Sequence, residues 1–407
     1  METTFVLNGY YTLIAATLVL LLGRILVKKI KLLDNFNIPE PVAGGLLVAL
    51  LVLVLHSVSG FSISIERSLQ DGLMLMFFAS IGLSADFSRL KAGGMPLVIF
   101  LVVVTGLIII QNVVGVSLAS LFGLKPLTGL ITGSVTLTGG HGTAIGWGKT
   151  FEENFGIHGA AELGIACATF GLVLGGLIGG PVARRLIRGI PTPSVTDEKK
   201  EVELMFEQPH NTRLITADSA LETLAMFAVC LASAHYLTQW MAATFPDSTF
   251  KIPTFVWALG VGVVVRNTLS RVFNFPVFDR CVDVYGNVSL SLFLAMALLS
   301  LKLWELSALA VPLLVILTVQ TVVMVLYAYF VTFRVMGKDY DAAVLTAGHC
   351  GFGMGATPTA VANMQAVTQR FGASHKAFLI VPMVGAFFVD IVNATILSIF
   401  TSLTFLQ

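Results

Sequence analysis

Ten long apolar stretches set the terms for this chain, at 8–28, 40–56, 72–86, 95–122, 160–187, 216–243, 252–270, 281–301, 308–333 and 376–403. A hydrocarbon core roughly 30 Å thick is crossed by about 20 helical residues rising about 1.5 Å each. The stretches therefore predict an all-α integral membrane protein with about ten transmembrane helices, its main solvent a lipid bilayer. Composition agrees: 56% of the 407 residues are hydrophobic and 12% charged, against about 25% charged in soluble domains. Mean hydropathy is +0.88. A net charge of +1 gives no basic field to hold nucleic acid. The four cysteines, Cys167, Cys230, Cys281 and Cys350, sit in apolar segments without ligand spacing and read as packing residues. Arg24, Lys28, Lys29 and Lys31 follow the first stretch with no small-residue cleavage site, so it reads as a retained span, not a signal peptide.

Two segments break the pattern. Residues 126–148 and 342–366 are nearly uncharged yet crowded with Gly, Thr, Ser, Asn and Pro, poor material for a lipid-facing helix. Irregular backbone at membrane depth survives only where protein shields it or where it lines a watery cavity, so both predict re-entrant hairpins beside a solute path. With ten spans and two hairpins, Arg67, Lys125, Lys149, Lys251 and Lys302 fall on one side, and the other nineteen of the 24 basic residues fall on the opposite side. The richer side is then cytoplasmic and both termini are periplasmic.

The halves echo each other at an offset near 216: Phe77 with Phe293, Pro96 with Pro312, Thr143-Ala144 with Thr359-Ala360, Phe155-Gly156 with Phe371-Gly372. Five spans per half, an odd number, invert the second half relative to the first. The expected organisation is an N-terminal repeat at 1–189, a polar cytoplasmic link at 190–214 and a C-terminal repeat at 215–407, with one hairpin entering from each side, as alternating access requires.

Chemistry is sparse and concentrated. The first hairpin carries TGSVTLTGGHGTAIGWG (132–148), where glycines permit sharp turns that expose backbone N–H groups to an anion. In the second, TAGHCGFGMGATPTAVANMQ (346–365), Pro358 suits the first turn of a half-helix capped by Thr357. Its positive N-terminus would face a substrate carboxylate. No Lys or Arg lies mid-span, although Arg24 and Arg266 sit near cytoplasmic span ends, within reach of a site. Asp390 is the one carboxylate well inside an apolar span, and Asn393 shares its helical face. The pair offers oxygens to sodium or to a substrate ammonium group; a structural hydrogen bond to a neighbouring helix is the plainer alternative. His141 and His349 offer proton relay or hydrogen bonding, against a purely structural role. Glu162, Asp218, Glu222 and Asp283 lie near span ends and read as interfacial. Gly171, Gly175 and Gly179 make a groove for close helix contact, expected beside a moving surface.

Longer strings carry a resemblance: IPEPVAGGL (38–46), GGHGT (139–143), CATFGLVLGGLIGGPVAR (167–184), GNVSLSLFLAMAL (286–298), YDAAVLTAGHCGFGMGATPTAVANMQA (340–366) and VPMVGAFFVDIVNA (381–394). In these the chain resembles the bacterial sodium/glutamate symporter family over essentially its whole length. The resemblance implies sodium-driven uptake of L-glutamate across the inner membrane, sodium as coupling ion with no organic cofactor, and a homodimer. By similarity to citrate transporters it also implies a substrate core sliding against a scaffold. It makes Gly139, Gly140, His141, Gly142, Gly353, Gly355, Thr357 and Thr359 substrate or sodium contacts; Ser134, Thr138, Thr143 and Asn363 join them as substrate-binding candidates, and Asp390 and Asn393, from their own position in an apolar span, as sodium candidates. Competing readings are a sodium-coupled carrier of another carboxylate such as citrate, a cation/proton antiporter using Asp390, and a channel built on the re-entrant loops. No GxSxG-type nucleophile with a histidine, HExxH or paired acidic metal motif points to an enzyme.

Overall fold

The computed structural model describes residues 3–36, 38–192, 214–245, 252–304 and 309–406. Most of the 190–214 link thus lies outside the described residues. Strand β1 (Thr3–Leu7) leads into α1 (Gly9–Lys29), opened by the Asn8 side chain, which accepts a hydrogen bond from the Tyr11 N–H. Helix α2 (Glu40–Ser59) returns antiparallel and ends at Gly60 in the left-handed region, turning the chain into β2 (Phe61–Ile65). The two strands pair in parallel from Thr3↔Phe61 to Leu7↔Ile65. This sheet marks one end of the molecule, called the sheet end below.

The first half continues with α3 (Arg67–Ser84), α4 (Gly94–Leu121), α5 (Gly140–Phe155) and α6 (Ala160–Ile187). The second half comprises α7 (Ala217–Thr244), α8 (Thr254–Arg271), α9 (Asp279–Leu299), α10 (Ala310–Tyr327, running on to Val335), α11 (Tyr340–Phe352), α12 (Thr357–Phe371), α13 (His375–Met383) and α14 (Val389–Ser402). Among the described residues seven helices are long and apolar enough to cross a membrane: α1, α2, α4, α6, α7, α9 and the Ala310–Val335 helix. The three other predicted stretches are helical too. Helices α3 and α8 are 18 residues each, with Arg67 and Asp71 diluting the first and Arg266 and Asn267 the second. The last stretch is divided by a π turn at Val384–Phe388. Pro382 lies just ahead of it and has no N–H to continue the helical ladder.

The helices pack as two bodies. The first comprises α1, α2, α3, α7, α8 and α9; the second, α4, α5, α6, α10 and α11–α14. Each half of the chain contributes three helices to the first body and the following elements to the second. Glycines allow the first body's helices to close up. A Cβ on Gly23 would lie 1.8 Å from the Glu40 carbonyl oxygen, and one on Gly82 2.1 Å from that of Leu259. Where the bodies meet, α5 lays Gly142, Gly146 and Trp147 against Phe77 and Phe78 of α3 and Phe255 of α8.

Candidate functional site

Each predicted hairpin is a pair of helical arms joined by a short turn. In the first, a single turn at Thr128–Leu130 and a π turn at Ile131–Val135 lead through residues 136–139 to α5. In the second, residues 353–356 join α11 to α12. The arms reach further than the 126–148 and 342–366 of the sequence reading, because helical hydrogen bonding continues to Phe155 and Phe371. Gly140, with φ +68°, and Gly355 bring the two turns together: a Cβ on Gly140 would lie 3.2 Å from the Gly355 carbonyl oxygen. Both α5 and α12 therefore start at this junction. Neither N-terminus is capped by a side chain, although the Gly140 N–H donates to the Thr136 carbonyl and Pro358 has no N–H to offer, so what both ends share where the turns meet is the partial positive charge of the helix.

Helix α4 crosses the junction with two fully buried amides. The Gln111 Nε2 donates to the Gly353 carbonyl at 2.8 Å, while its Oε1 accepts from the Thr138 hydroxyl at 2.7 Å. The Gln320 Nε2 of α10 donates to the Gln111 carbonyl at 2.7 Å. Beside it, the Asn112 Oδ1 accepts from the Ser134 N–H at 3.1 Å. Ser134 in turn donates its hydroxyl to the Asn393 Oδ1 at 2.7 Å and accepts from the Asn393 Nδ2 at 3.1 Å. Gly133 is required here, since a Cβ would lie 2.9 Å from the Gln111 carbonyl oxygen. The buried polar atoms of these elements without a partner among the described residues include Asn112 Nδ2, Gln320 Oε1 and Thr359 Oγ1. A buried polar atom left unpaired costs about 1–3 kcal/mol, so each is a place where a ligand atom would be welcome.

Of the residues named from sequence, Ser134, Thr138, Gly139, Gly140, Gly353, Gly355 and Asn393 converge on this junction. Thr143 is buried one turn into α5, against Gly139. Asp390 is half-buried, one turn before Asn393. His141 faces α6: the Thr169 hydroxyl donates to the Ile165 carbonyl, leaving its oxygen for the His141 Nε2 at 3.0 Å. Gly142 faces Phe77 across the boundary between bodies. Thr357 is not the cap of α12. Ala356 holds that position in extended conformation, and the Thr357 hydroxyl donates to the Gly385 carbonyl at 2.7 Å. Asn363 lies further along α12 and donates to Gly175 and Ala347 carbonyls. His349 is walled in by Phe100, Tyr327 and Phe352, its Nδ1 at 2.9 Å from the Thr332 hydroxyl. Gly171, Gly175 and Gly179 accept Met354, Gly351 and Asn363 within the second body, so their groove is fixed packing, not a moving face. Arg24 pairs with Glu40, and Arg266 with Asp86 and Asp279, all at the first body.

Gln111, Asn112, Gln320 and Thr169 were not singled out from sequence. The signal existed for the amides, because uncharged polar groups in the middle of the 95–122 and 308–333 stretches carry the same burial argument as Asp390. Among the described residues no three His, Cys, Asp or Glu side chains cluster. The polar groups that converge here are hydroxyl, amide and carbonyl oxygens, the donor types that suit a hard cation.

A cavity of about 860 Å³ opens at the sheet end between the bodies. It descends from Arg67, Lys149 and Lys302 to Met74, Ile145, Ile165 and Phe293. Polar contacts cross it. Lys149 of α5 pairs with Asp71 of α3 at 2.6 Å, Arg67 with Glu153 at 3.6 Å, and the Lys302 N–H donates to Glu162 at 3.4 Å.

Apolar helices of crossing length in two bodies, with an uncharged polar junction buried in one of them, define a multi-pass membrane protein with a polar site inside it. The sequence pattern of the family described as Sodium/glutamate symporter matches residues 5–373. The sodium/glutamate symporters of Escherichia coli (strain K12) and Shigella flexneri are each 57% identical over 399 residues, 98% of this chain and 98% of theirs. That of Haemophilus influenzae is 54% identical, covering 97% of this chain and 98% of its own. The chain belongs to the sodium/glutamate symporter family.

Proposed function

We propose that the chain carries L-glutamate inward with sodium by alternating access, both solutes being held at the hairpin junction of the second body. The observation that carries this reading is the meeting of two uncapped helix N-termini at Gly140 and Gly355, above the buried amides of Gln111 and Asn112. Two helix ends without a nearby Lys or Arg suit the paired carboxylates of glutamate. Asp390 and Asn393, reached through Ser134, are the proposed sodium ligands. Citrate transport and cation/proton exchange are not favoured by the relatives, all named for sodium and glutamate.

The proposed topology has ten crossings in two inverted repeats, 1–189 and 215–407, each with a re-entrant hairpin, and both termini on the periplasmic side of a bacterial inner membrane. The equal division of each half between the two bodies supports it. So does the cavity, whose rim carries Arg67, Lys149 and Lys302, three of the five basic residues on the poorer side. The cavity then opens outward, and the second body slides over the Phe77, Phe78 and Phe255 face to release solute inside. A homodimer through the first body completes the proposal.

The gradients suffice. One net inward charge at about 100 mV supplies roughly 2.3 kcal/mol, and a tenfold sodium gradient adds about 1.4 kcal/mol. Radiolabelled L-glutamate uptake into proteoliposomes, with and without an inward sodium gradient and alongside citrate and aspartate, tests the function. Accumulation that collapses when sodium is equalised and the potential abolished is expected. Folded protein without sodium-dependent glutamate uptake would refute the proposal.

A further inference from the structure

We infer that Gln111 is a positioning residue that ties the two hairpin turns into one unit, so that occupancy at one turn is felt at the other. The inference rests on the reading that glutamate and sodium bind at the hairpin junction. A carboxamide presents its donor and its acceptor on two separate atoms of one planar terminus, and Gln111 uses the two on different hairpins. Its Oε1 takes the Thr138 hydroxyl two residues before α5, and its Nε2 reaches the Gly353 carbonyl four residues before α12. Gln111 and Gly353 are 242 residues apart in sequence, so this bond links the two halves of the chain. The Gln320 amide holds the Gln111 backbone from α10, and Gln111 itself is fully buried.

Burial gives the link its force. Were one turn to move without the other, an amide would lose its partner away from water, a loss that solvent does not repair. The turns therefore move together through Gln111. Coupled symport needs this property, because sodium must raise the affinity for substrate through a differential interaction and not merely occupy a neighbouring site. Shorter or one-sided replacements fail for distinct reasons. Asn is one carbon too short to span both contacts, and a thioether offers neither a strong donor nor a strong acceptor.

The test measures glutamate affinity of the purified full chain in nanodiscs, with sodium and with choline, and takes the ratio of the two dissociation constants. Gln111→Met, close in shape, should reduce that ratio about tenfold, within the usual range of coupling between sites. Thr138→Val, which removes one arm while preserving shape, should reduce it less, and Thr138→Ser, which restores the hydroxyl, should recover it. A merely structural role would lower the amount of folded protein and leave the ratio of the folded fraction unchanged. An unaltered ratio in Gln111→Met overturns the inference; if that variant does not fold, an unaltered ratio in Thr138→Val does so. The underlying reading fails separately, if Gly140→Val and Gly355→Val, folded, bind glutamate like the parent chain.

Discussion

Lys149 and Asp71 allow the proposed sliding motion to be tested quantitatively. Lys149 Nζ lies 2.6 and 2.7 Å from the two Asp71 oxygens, and the pair joins α5 of one body to α3 of the other. Any translation of the second body along the first must separate them. The side chains are 30% and 37% exposed, so solvent screening limits the pair to about 1 kcal/mol. Arg67 and Glu153, 72% and 51% exposed at 3.6 Å, add next to nothing by the same argument. About 1 kcal/mol shifts a two-state ratio roughly fivefold, whereas a full reversal from 1:99 to 99:1 takes about 5.5 kcal/mol. The pair thus biases the open-cavity conformation without dictating it. A cysteine introduced at Gln70, a half-buried position on the cavity wall, reports that conformation through its modification rate with an impermeant thiol reagent. The four native cysteines are buried and provide a low background. Asp71→Asn should slow modification by up to about fivefold, and raising choline chloride at fixed sodium should slow the parent towards the same rate by screening. The reversed pair, Asp71→Lys with Lys149→Asp, should restore it. Parental rates in both Asp71→Asn and Lys149→Gln, at low salt, would refute the reasoning.

Further predictions address the site and its support. Asp390→Asn should raise the sodium concentration for half-maximal uptake about tenfold, equivalent to about 1.4 kcal/mol; unchanged sodium activation would remove Asp390 from the mechanism. Ser134→Ala leaves the buried Asn393 Oδ1 without its donor and should cost about 1–3 kcal/mol, read as a lower unfolding midpoint in detergent; an unchanged midpoint would show that the contact is replaced. Gly171→Val should abolish folded protein, because even its Cβ would lie 2.3 Å from the Met354 carbonyl oxygen, whereas Gly180→Ala, with nothing within 4 Å, should express and transport normally. Equal yields of the two by fluorescence size-exclusion chromatography would contradict the close packing of α6 against the second hairpin.

The elements of this fold legible in the sequence were those written in local pattern. Apolar length gave the helices, and the glycine-rich interruptions marked where two pairs of shorter helical arms turn, since both follow from local composition over a short window. The sheet was not legible: TTFVL and FSISI are each five residues long, and their pairing depends on α1 and α2 returning to the same end. Which helices make up each of the two bodies was equally hidden, because it depends on which helix faces meet. Within the site, Ser134 and Asn393 could be read as polar residues in apolar surroundings, but their mutual hydrogen bonds span 259 positions. Thr357 was misassigned as a cap because the start of α12 is fixed by the extended backbone of Ala356, one residue earlier than composition suggests.

The face that α5 presents to α3 and α8 has a mechanical consequence. Glycines at 142 and 146 meet flat aromatic rings at 77, 78 and 255, where ordinary helix contacts would interlock ridges into grooves and so fix a register. A ring against bare backbone sets little register, so at Gly142 and Gly146 energy changes little with distance travelled, and resistance along this track comes from the edge-on contact of Trp147 with Phe255. The resting points of the journey are then set by polar contacts at the rims, such as Lys149 with Asp71. Alterations at the rims should relocate the stops, while alterations along the track should change only the speed between them.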